Sequence, residues 1–166
     1  MTSEHCLKLG AVGFVVAIYF PPAYAEGEHL TKVTKAGHDI AILSYARSNQ
    51  NCEGIEPPGL YLDEPPKHGI VCFRHSKVKL QNAVVGNLTQ CLGQSIRGVT
   101  IYYFPRSKYV GPDELRYTVI FPEKRHGVYA ELTVIRDSAD DGSVAASPME
   151  YAQPTGPIPV CSPAVS

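Results

Sequence analysis

The stretch that most constrains the fold spans residues 98–121, GVTIYYFPRSKYVGPDELRYTVIF, and holds two apolar segments with a turn-rich connector between them. The first segment, 99–104, is dense in β-branched and aromatic residues, which are typical of strands. Pro105 ends it, because proline lacks the backbone N–H that a strand ladder uses. In the second segment every second side chain shares one face of a strand, and that face is apolar: Leu115, Tyr117, Val119 and Phe121. The stretch therefore predicts two strands of a β-sheet.

The connector carries Gly111, Pro112 and Asp113, residue types that supply a positive φ, a fixed φ and a side-chain acceptor at turns. The spacing from Asp113 to Tyr117 to Val119 is that of a tyrosine corner, in which a tyrosine near a strand start bonds to upstream backbone. The spacing predicts a tyrosine corner formed by Asp113 and Tyr117. The alternative is an ordinary amphipathic strand that contains a tyrosine.

Further strand-like segments lie on both sides of this stretch. Residues 29–46 predict a strand, a turn and a second strand, while 60–63, 69–80 and 128–134 each predict one more. Segment 69–80 is polar for a core element, and its charges favour an edge position, where they discourage pairing between sheets. About seven strands and no convincing helical period beyond the first 25 residues predict an all-β, immunoglobulin-like sandwich of about 100 residues.

Three short motifs follow one another in the order expected of one family. They are PPKHGIV at 65–71, YFP at 103–105 and YVGPDELRYTV at 109–119. Together they resemble the bacterial cadherin-like, immunoglobulin-like repeat, whose motifs run P-x-HG-x-V, Y-T-P and GY-x-G-x-D-x-F-x-Y-x-V. The resemblance implies an immunoglobulin-like fold more firmly than it implies a role.

The chain departs from that family at three points. Residues 72–97 stand where the family has a short hairpin, and they contain two cysteines. Leu115 replaces the usual aromatic residue. The family also occurs as tandem repeats in large surface proteins, whereas this chain has room for one copy.

The first 25 residues have the three-part layout of a secretory signal peptide. Lys8 precedes an apolar run at 9–20, and Ala23-Tyr24-Ala25 forms an A-x-A cleavage signal. The run is short for a membrane span, and the alternatives are a buried first helix or an uncleaved anchor. With cleavage after Ala25 we expect a mature chain that has no transmembrane span and is exported, to the periplasm or the extracellular space.

Cleavage would remove Cys6 from the five cysteines of the chain and leave four, Cys52, Cys72, Cys91 and Cys161. An even count in an oxidising compartment favours disulfides. Four cysteines allow three pairings, and the sequence does not select among them. We favour Cys52 with Cys91, which would tie the segment before PPKHG to the inserted loop, and Cys72 with Cys161, which would hold the tail. Free or metal-bound thiols are the alternative.

A change in composition after residue 137 divides the chain beyond the first 25 residues into one domain and a tail. Residues 26–137 hold the strand-like segments, whereas 138–166 are rich in Pro, Ala and Ser and contain little to bury. We expect 138–166 to be a disordered or loosely draped tail with Cys161 as its anchor.

Net charge and side-chain motifs argue against three classes of protein: nucleic-acid binders, metal-binding proteins and hydrolases. Fifteen Lys and Arg against sixteen Asp and Glu give a formal net charge of -1, without the basic stripe of a nucleic-acid binder. The best metal candidates are His68, Cys72 and His75, but strand alternation turns His75 away from the other two. No G-x-S-x-G motif frames a serine, and the histidines are scattered. We therefore expect no metal, no cofactor and no catalytic residue.

Aromatic and basic residues suggest one binding patch. Aromatic and arginine side chains clustered at a loop are typical of interface hot spots. The patch would consist of Tyr102, Phe104, Arg106, Lys108 and Tyr109. The alternative is a strand buried on both faces, beside a loop whose basic residues are merely solvated.

The sequence thus leaves two hypotheses. The first is a non-catalytic, exported immunoglobulin-like module that binds a protein or glycan of the bacterial cell envelope or serves structurally there. The second is a small periplasmic enzyme or metal-binding protein on the same fold, since one fold hosts many functions.

Overall fold

The computed structural model describes residues 27–81, 89–136 and 153–162. The predicted signal peptide, 1–25, lies outside the described residues. Within them no helix is long and apolar enough to cross a membrane. The described chain contains one short 3-10 segment, Thr89–Cys91, and eight strands: β1 Glu28–Lys35, β2 Ile40–Ala46, β3 Gly59–Glu64, β4 Gly69–Lys79, β5 Ser95–Pro105, β6 Gly111–Ile120, β7 Arg125–Ile135 and β8 Gly156–Pro157.

The strands form two sheets. One has the order β1-β7-β6-β3-β8 and the other the order β2-β5-β4. Placing the second, fifth and fourth strands in one sheet and the third, sixth and seventh in the other is the immunoglobulin arrangement. The first strand joins the larger sheet by parallel pairing with β7. The predicted all-β, immunoglobulin-like sandwich is confirmed, and β4 lies at a sheet edge as its charges indicate.

The core lies between the sheets and comes from alternate positions of the long strands. Leu115, Tyr117 and Val119 of β6 are fully buried, as their alternation predicts. They meet Tyr103 and Ile101 of β5 from the opposite sheet, which are equally buried. Burial of large apolar and aromatic side chains of this kind is the dominant favourable contribution to folding.

The predicted tyrosine corner is wrong. The Tyr117 hydroxyl lies 3.0 Å from the Tyr45 hydroxyl across the core, and not against upstream backbone. Tyr117 is in the middle of β6 and faces the other sheet, so a tyrosine of that sheet is its nearest polar partner. Asp113 fastens the start of β6 instead: its carboxylate accepts hydrogen bonds from the backbone N–H of Lys67 and His68 at 3.0 and 2.9 Å.

Three core tyrosines make the fold sensitive to alkali. Burial, the largest cause, raises the pKa of Tyr45, Tyr103 and Tyr117 above the ordinary value of 10.0. Unfolded tyrosine ionises from about pH 10 while the folded form keeps its proton, so stability is fully present below pH 10 and is lost above it. Each tyrosine should lower the free energy of unfolding by about 1.4 kcal/mol per pH unit there.

Denaturant unfolding followed across about pH 9 to 11 would measure this loss, with tyrosinate absorbance as the second readout. The double variant Tyr45→Phe/Tyr117→Phe removes both hydroxyls of one pair, so of the three core contributions to the slope only that of Tyr103 should remain. An equal slope in variant and wild type would contradict the assignment.

The C-terminal segment 153–162 is ordered against the domain, so the expectation of disorder is wrong for these residues. Strand β8 pairs with β3, and Gln153 accepts from Val71 N–H at 2.7 Å and donates to Val71 C=O at 2.8 Å. Composition predicts only that a segment cannot form its own core. Here the open edges of β3 and β4 provide the partners, and Ile158 is buried against the sandwich.

Both favoured disulfides are present. Cys72 is bonded to Cys161 across a sequence separation of 89, and Cys52 to Cys91 across 39. The first fixes the C-terminal segment beside β4, where Phe73 N–H also donates to Pro159 C=O at 2.9 Å. Two disulfides are typical of a protein in an oxidising, exported environment.

Candidate binding groove at the loop end

The patch predicted from the sequence is divided into two groups. Tyr102 and Phe104 lie half-buried on the outer face of β5, and the Arg74 guanidinium covers both rings at 4.6 and 5.5 Å from their centroids. Arg74 is itself held by Asp39 at 3.4 Å. The arginine that covers these rings therefore comes from β4, a strand that the predicted patch did not include.

The rest of the patch belongs to the loop after β5. The Tyr109 ring stacks on His68 at 3.8 Å, and its hydroxyl donates to Pro112 C=O. Arg106 N–H donates to His68 C=O at 2.8 Å, while Lys108 is exposed. The contacts of Tyr109 are thus with the turn before β4 and with the start of β6.

The metal candidates do not converge. Cys72 is in a disulfide, His68 stacks on Tyr109, and His75 lies edge-on to Phe73. Among the residues that the structure describes, no group of three His, Cys, Asp or Glu side chains could hold a metal ion.

Three loops meet at the opposite end of the sandwich, here called the loop end. The strand registers Ala46↔Gly98 and Lys79↔Ser95 place the ends of β2 and β4 on either side of the start of β5. Phe121 and Glu123, which follow β6 in the other sheet, line the same cavity as residues just after β2 and β4. The loop end therefore consists of loops 47–58 and 121–124 and of the described residues of loop 80–94, namely 80, 81 and 89–94; residues 82–88 lie outside the described residues. In immunoglobulin variable domains, loops clustered at one end form the binding site.

A disulfide and a capped turn fix the described parts of two of these loops. Cys52–Cys91 joins loop 47–58 to loop 80–94, and Cys91 is fully buried. Within the first loop, the Asn49 side chain accepts hydrogen bonds from Asn51 N–H and Glu53 N–H, both at 2.9 Å. Asparagine at a turn mimics backbone in this way. The loop is thus fixed in place before any ligand arrives.

An open groove of about 740 Å³ runs from the loop end along the side of β2. That volume is within the range of ordinary ligand sites. Every residue of 41–48 lines the groove, so β2 and the two residues after it form a continuous part of its wall. The other lining residues come from β1, β4 and the three loops: Glu28, Lys32, 77–81, Ile55, Leu92, Phe121 and Glu123.

The groove combines apolar surface with an excess of positive charge. Ile55 and Leu92 remain 37% and 43% exposed beside it. Its lining holds four basic side chains, Lys32, Arg47, Lys77 and Lys79, against the two carboxylates Glu28 and Glu123. Glu28 also lies 3.3 Å from the His126 ring nitrogen. An apolar, cationic groove suits a ligand that carries both apolar groups and negative charge.

Comparisons with known proteins do not identify a family for this chain. No family model matches the chain, and no curated protein matches it. Among solved structures, the solution structure of amebosin is similar with a TM-score of 0.32 and 15% identity, over 65% of this chain and 99% of that chain. A likeness this weak carries no argument about fold or function.

Sequence reasoning missed the groove because its residues are scattered along the chain. Arg47, Ile55 and Leu92 form no motif, and the charges of segment 69–80, which include Lys77 and Lys79, predict only an edge strand. One signal was present: in an immunoglobulin arrangement the loops after the second, fourth and sixth strands emerge at one end. Grouping those loops would have placed these residues together.

Proposed function

We propose that this chain is an exported, non-catalytic immunoglobulin-like module that binds a protein or glycan of the bacterial cell envelope in the groove at the loop end. The observation that carries the proposal is the groove itself, which is preformed and tied by Cys52–Cys91. Apolar surface left exposed beside ordered loops costs free energy in a free monomer, and a ligand that covers it recovers that cost.

The two disulfides support export, because they are characteristic of oxidising compartments. The signal peptide proposed for 1–25 supports the same location, either periplasmic or extracellular. Arg74 with Tyr102 and Phe104 is a second surface of hot-spot composition, but those rings are already covered by the guanidinium. The groove is therefore the better site.

Charge reversal in the groove tests this function. The full mature chain would be screened against a random-peptide display library and a glycan array, and every ligand found would be titrated against variants. Lys77→Glu/Lys79→Glu should weaken binding about tenfold or more, since each exposed charge contributes up to about 1 kcal/mol. Calorimetric titration measures the dissociation constant.

The matched control is Lys67→Glu/Lys108→Glu, which changes net charge equally at the opposite end of the sandwich. Lys67 is 76% exposed there and lies 3.9 Å from Glu114. Control and wild type should agree within about twofold. Ligands that bind both double variants equally well, or a screen that yields none, would overturn the groove as the functional site.

A further inference from the structure

The wall of the groove is a strand edge without a partner. In the sheet β2-β5-β4, strand β2 has β5 on one side, and no described residue pairs with its other side. An unpaired edge is a template for another strand, and proteins usually protect it with charges or proline. Strand β2 reads IAILSYA and contains neither. Its register with β5 shifts between Ala41 and Ser44, so the regular part of its free edge is 44–46.

The opposite side of the sandwich shows how this protein closes such edges. There the C-terminal segment bonds to the outward backbone groups of Val71 and Phe73 on β4 and pairs with β3. Strand β4 also carries Arg74, Lys77 and Lys79 along its length. Strand β2 has neither a covering segment among the described residues nor charges of its own.

The strand registers show which backbone groups are available. Phe73 N–H points away from β5, so Ile101, opposite it, directs its backbone groups toward β2. Bonded and non-bonded pairs alternate along antiparallel strands. Val99 therefore bonds to Tyr45, and Ala46 points its N–H and C=O into the groove. Ser44, opposite Thr100, points its groups the same way.

We propose that the ligand is an extended peptide with acidic side chains, which adds to the free edge of β2 as a further strand. This inference rests on the proposed function and names the ligand class of the same groove. The lined residues of β2, 41–46, are long enough for a peptide of about five residues at about 3.3 Å per residue, since Arg47 and Ser48 are already paired with Ile55 and Gly54. Main-chain hydrogen bonds to β2 provide affinity, and alternate side chains enter the groove.

The excess of basic side chains in the groove indicates that the peptide is acidic. Lys32, Lys77 and Lys79 form no ion pair with another described residue, and with Arg47 they outnumber the groove carboxylates four to two. Ile55 and Leu92 offer contacts to apolar side chains of the same peptide. A peptide in which acidic and apolar residues alternate would satisfy both.

The experiment scans the backbone of peptides recovered from the display library. Each amide is methylated in turn, and the dissociation constant is measured by calorimetry with the full mature chain. Strand addition predicts a period of two: methylation at every second position weakens binding about tenfold or more, whereas intervening positions change it less than about threefold. Loss at every position, or at none, overturns the proposal.

One variant and a control test the same bonds from the protein side. Ala46→Pro removes one N–H that faces the groove, and proline is tolerated at an edge when its nitrogen faces outward. This variant should lose binding about tenfold. The control Lys67→Glu/Lys108→Glu, at the opposite end of the sandwich, keeps every N–H of the groove and should bind as wild type does. If Ala46→Pro fails to fold, the methylation scan on wild-type protein decides alone.

The outcomes separate this inference from the proposed function. Peptides that lose affinity in Lys77→Glu/Lys79→Glu but show no period of two leave a binding groove and overturn strand addition. Selection of glycans instead of peptides does the same. Self-association of the chain that Ala46→Pro abolishes would assign the edge to a second copy and overturn the peptide. Binding unaffected by any groove variant overturns both.

Discussion

Replacing Cys72 and Cys161 by alanine should lower the free energy of unfolding by about 4 to 5 kcal/mol, the largest effect we expect. The bond closes a loop with a sequence separation of 89, and in the chain-entropy model the constraint on the unfolded chain grows with loop length. Small domains are stable by about 5 to 15 kcal/mol in total. Denaturant unfolding at equilibrium measures the change.

The matched control is Cys52→Ala/Cys91→Ala, whose loop has a separation of 39. The same model gives a loss roughly 0.7 kcal/mol smaller for that pair. Hydrogen exchange shows which part of the fold each double variant loosens. Loss of Cys72–Cys161 should expose the amides of Val71 and Phe73, which the C-terminal segment covers. A loss below about 1 kcal/mol for the first variant would show that the segment contributes little.

Asp113→Ala should destabilise the fold by about 3 to 5 kcal/mol, since hydrogen bonds to a charged group contribute about 1.5 to 3 kcal/mol each. The Asp113 carboxylate is buried and accepts from Tyr103 O–H at 2.8 Å as well as from backbone N–H groups. Alanine would leave the buried Tyr103 hydroxyl and the turn at 67–68 without their acceptor. Denaturant unfolding again provides the measurement.

Two variants accompany it. Asp113→Asn keeps one acceptor oxygen but turns an NH₂ group toward donors, so an intermediate loss is expected. Glu114→Ala, at the exposed neighbouring position, should cost less than about 1 kcal/mol because its partners, Lys67 and Tyr129, lie at the surface. If Asp113→Ala were as mild as Glu114→Ala, the carboxylate would not hold the start of β6.

The strands could be predicted because alternation is a local property. Leu115, Tyr117 and Val119 follow the period of two, and each is buried. The partner of the Tyr117 hydroxyl could not be predicted the same way. It depends on which residue of the other sheet lies opposite, and Tyr45 is 72 positions away in the chain. Spacing along the chain alone therefore suggested a local bond where the structure has a distant one.

The groove could not be predicted from the sequence for the same reason. The groove takes Lys32 from β1, Arg47 from the end of β2 and Lys79 from β4, and only the packing of two sheets brings them together. The predicted patch failed to include Arg74 because strand pairing with β5 sets its position over Tyr102. The two disulfide pairs were favoured correctly, because the choice depended on which segments would need a covalent link to the rest of the domain.

The bond between Cys72 and Cys161 also determines how the module would respond to tension. A pull applied at Gly27 and Ser162 would pass from Cys161 directly into Cys72. Because Cys52–Cys91 places 73–91 in parallel with 53–71, those two segments would share the load, and residues 92–160 would stay slack. Extension would be limited to 27–72, roughly 150 Å when fully drawn out. Strand β1 pairs in parallel with β7 over its whole length, so its ladder would be loaded in shear. A module of this kind would behave as a short, stiff link between whatever its two ends are attached to.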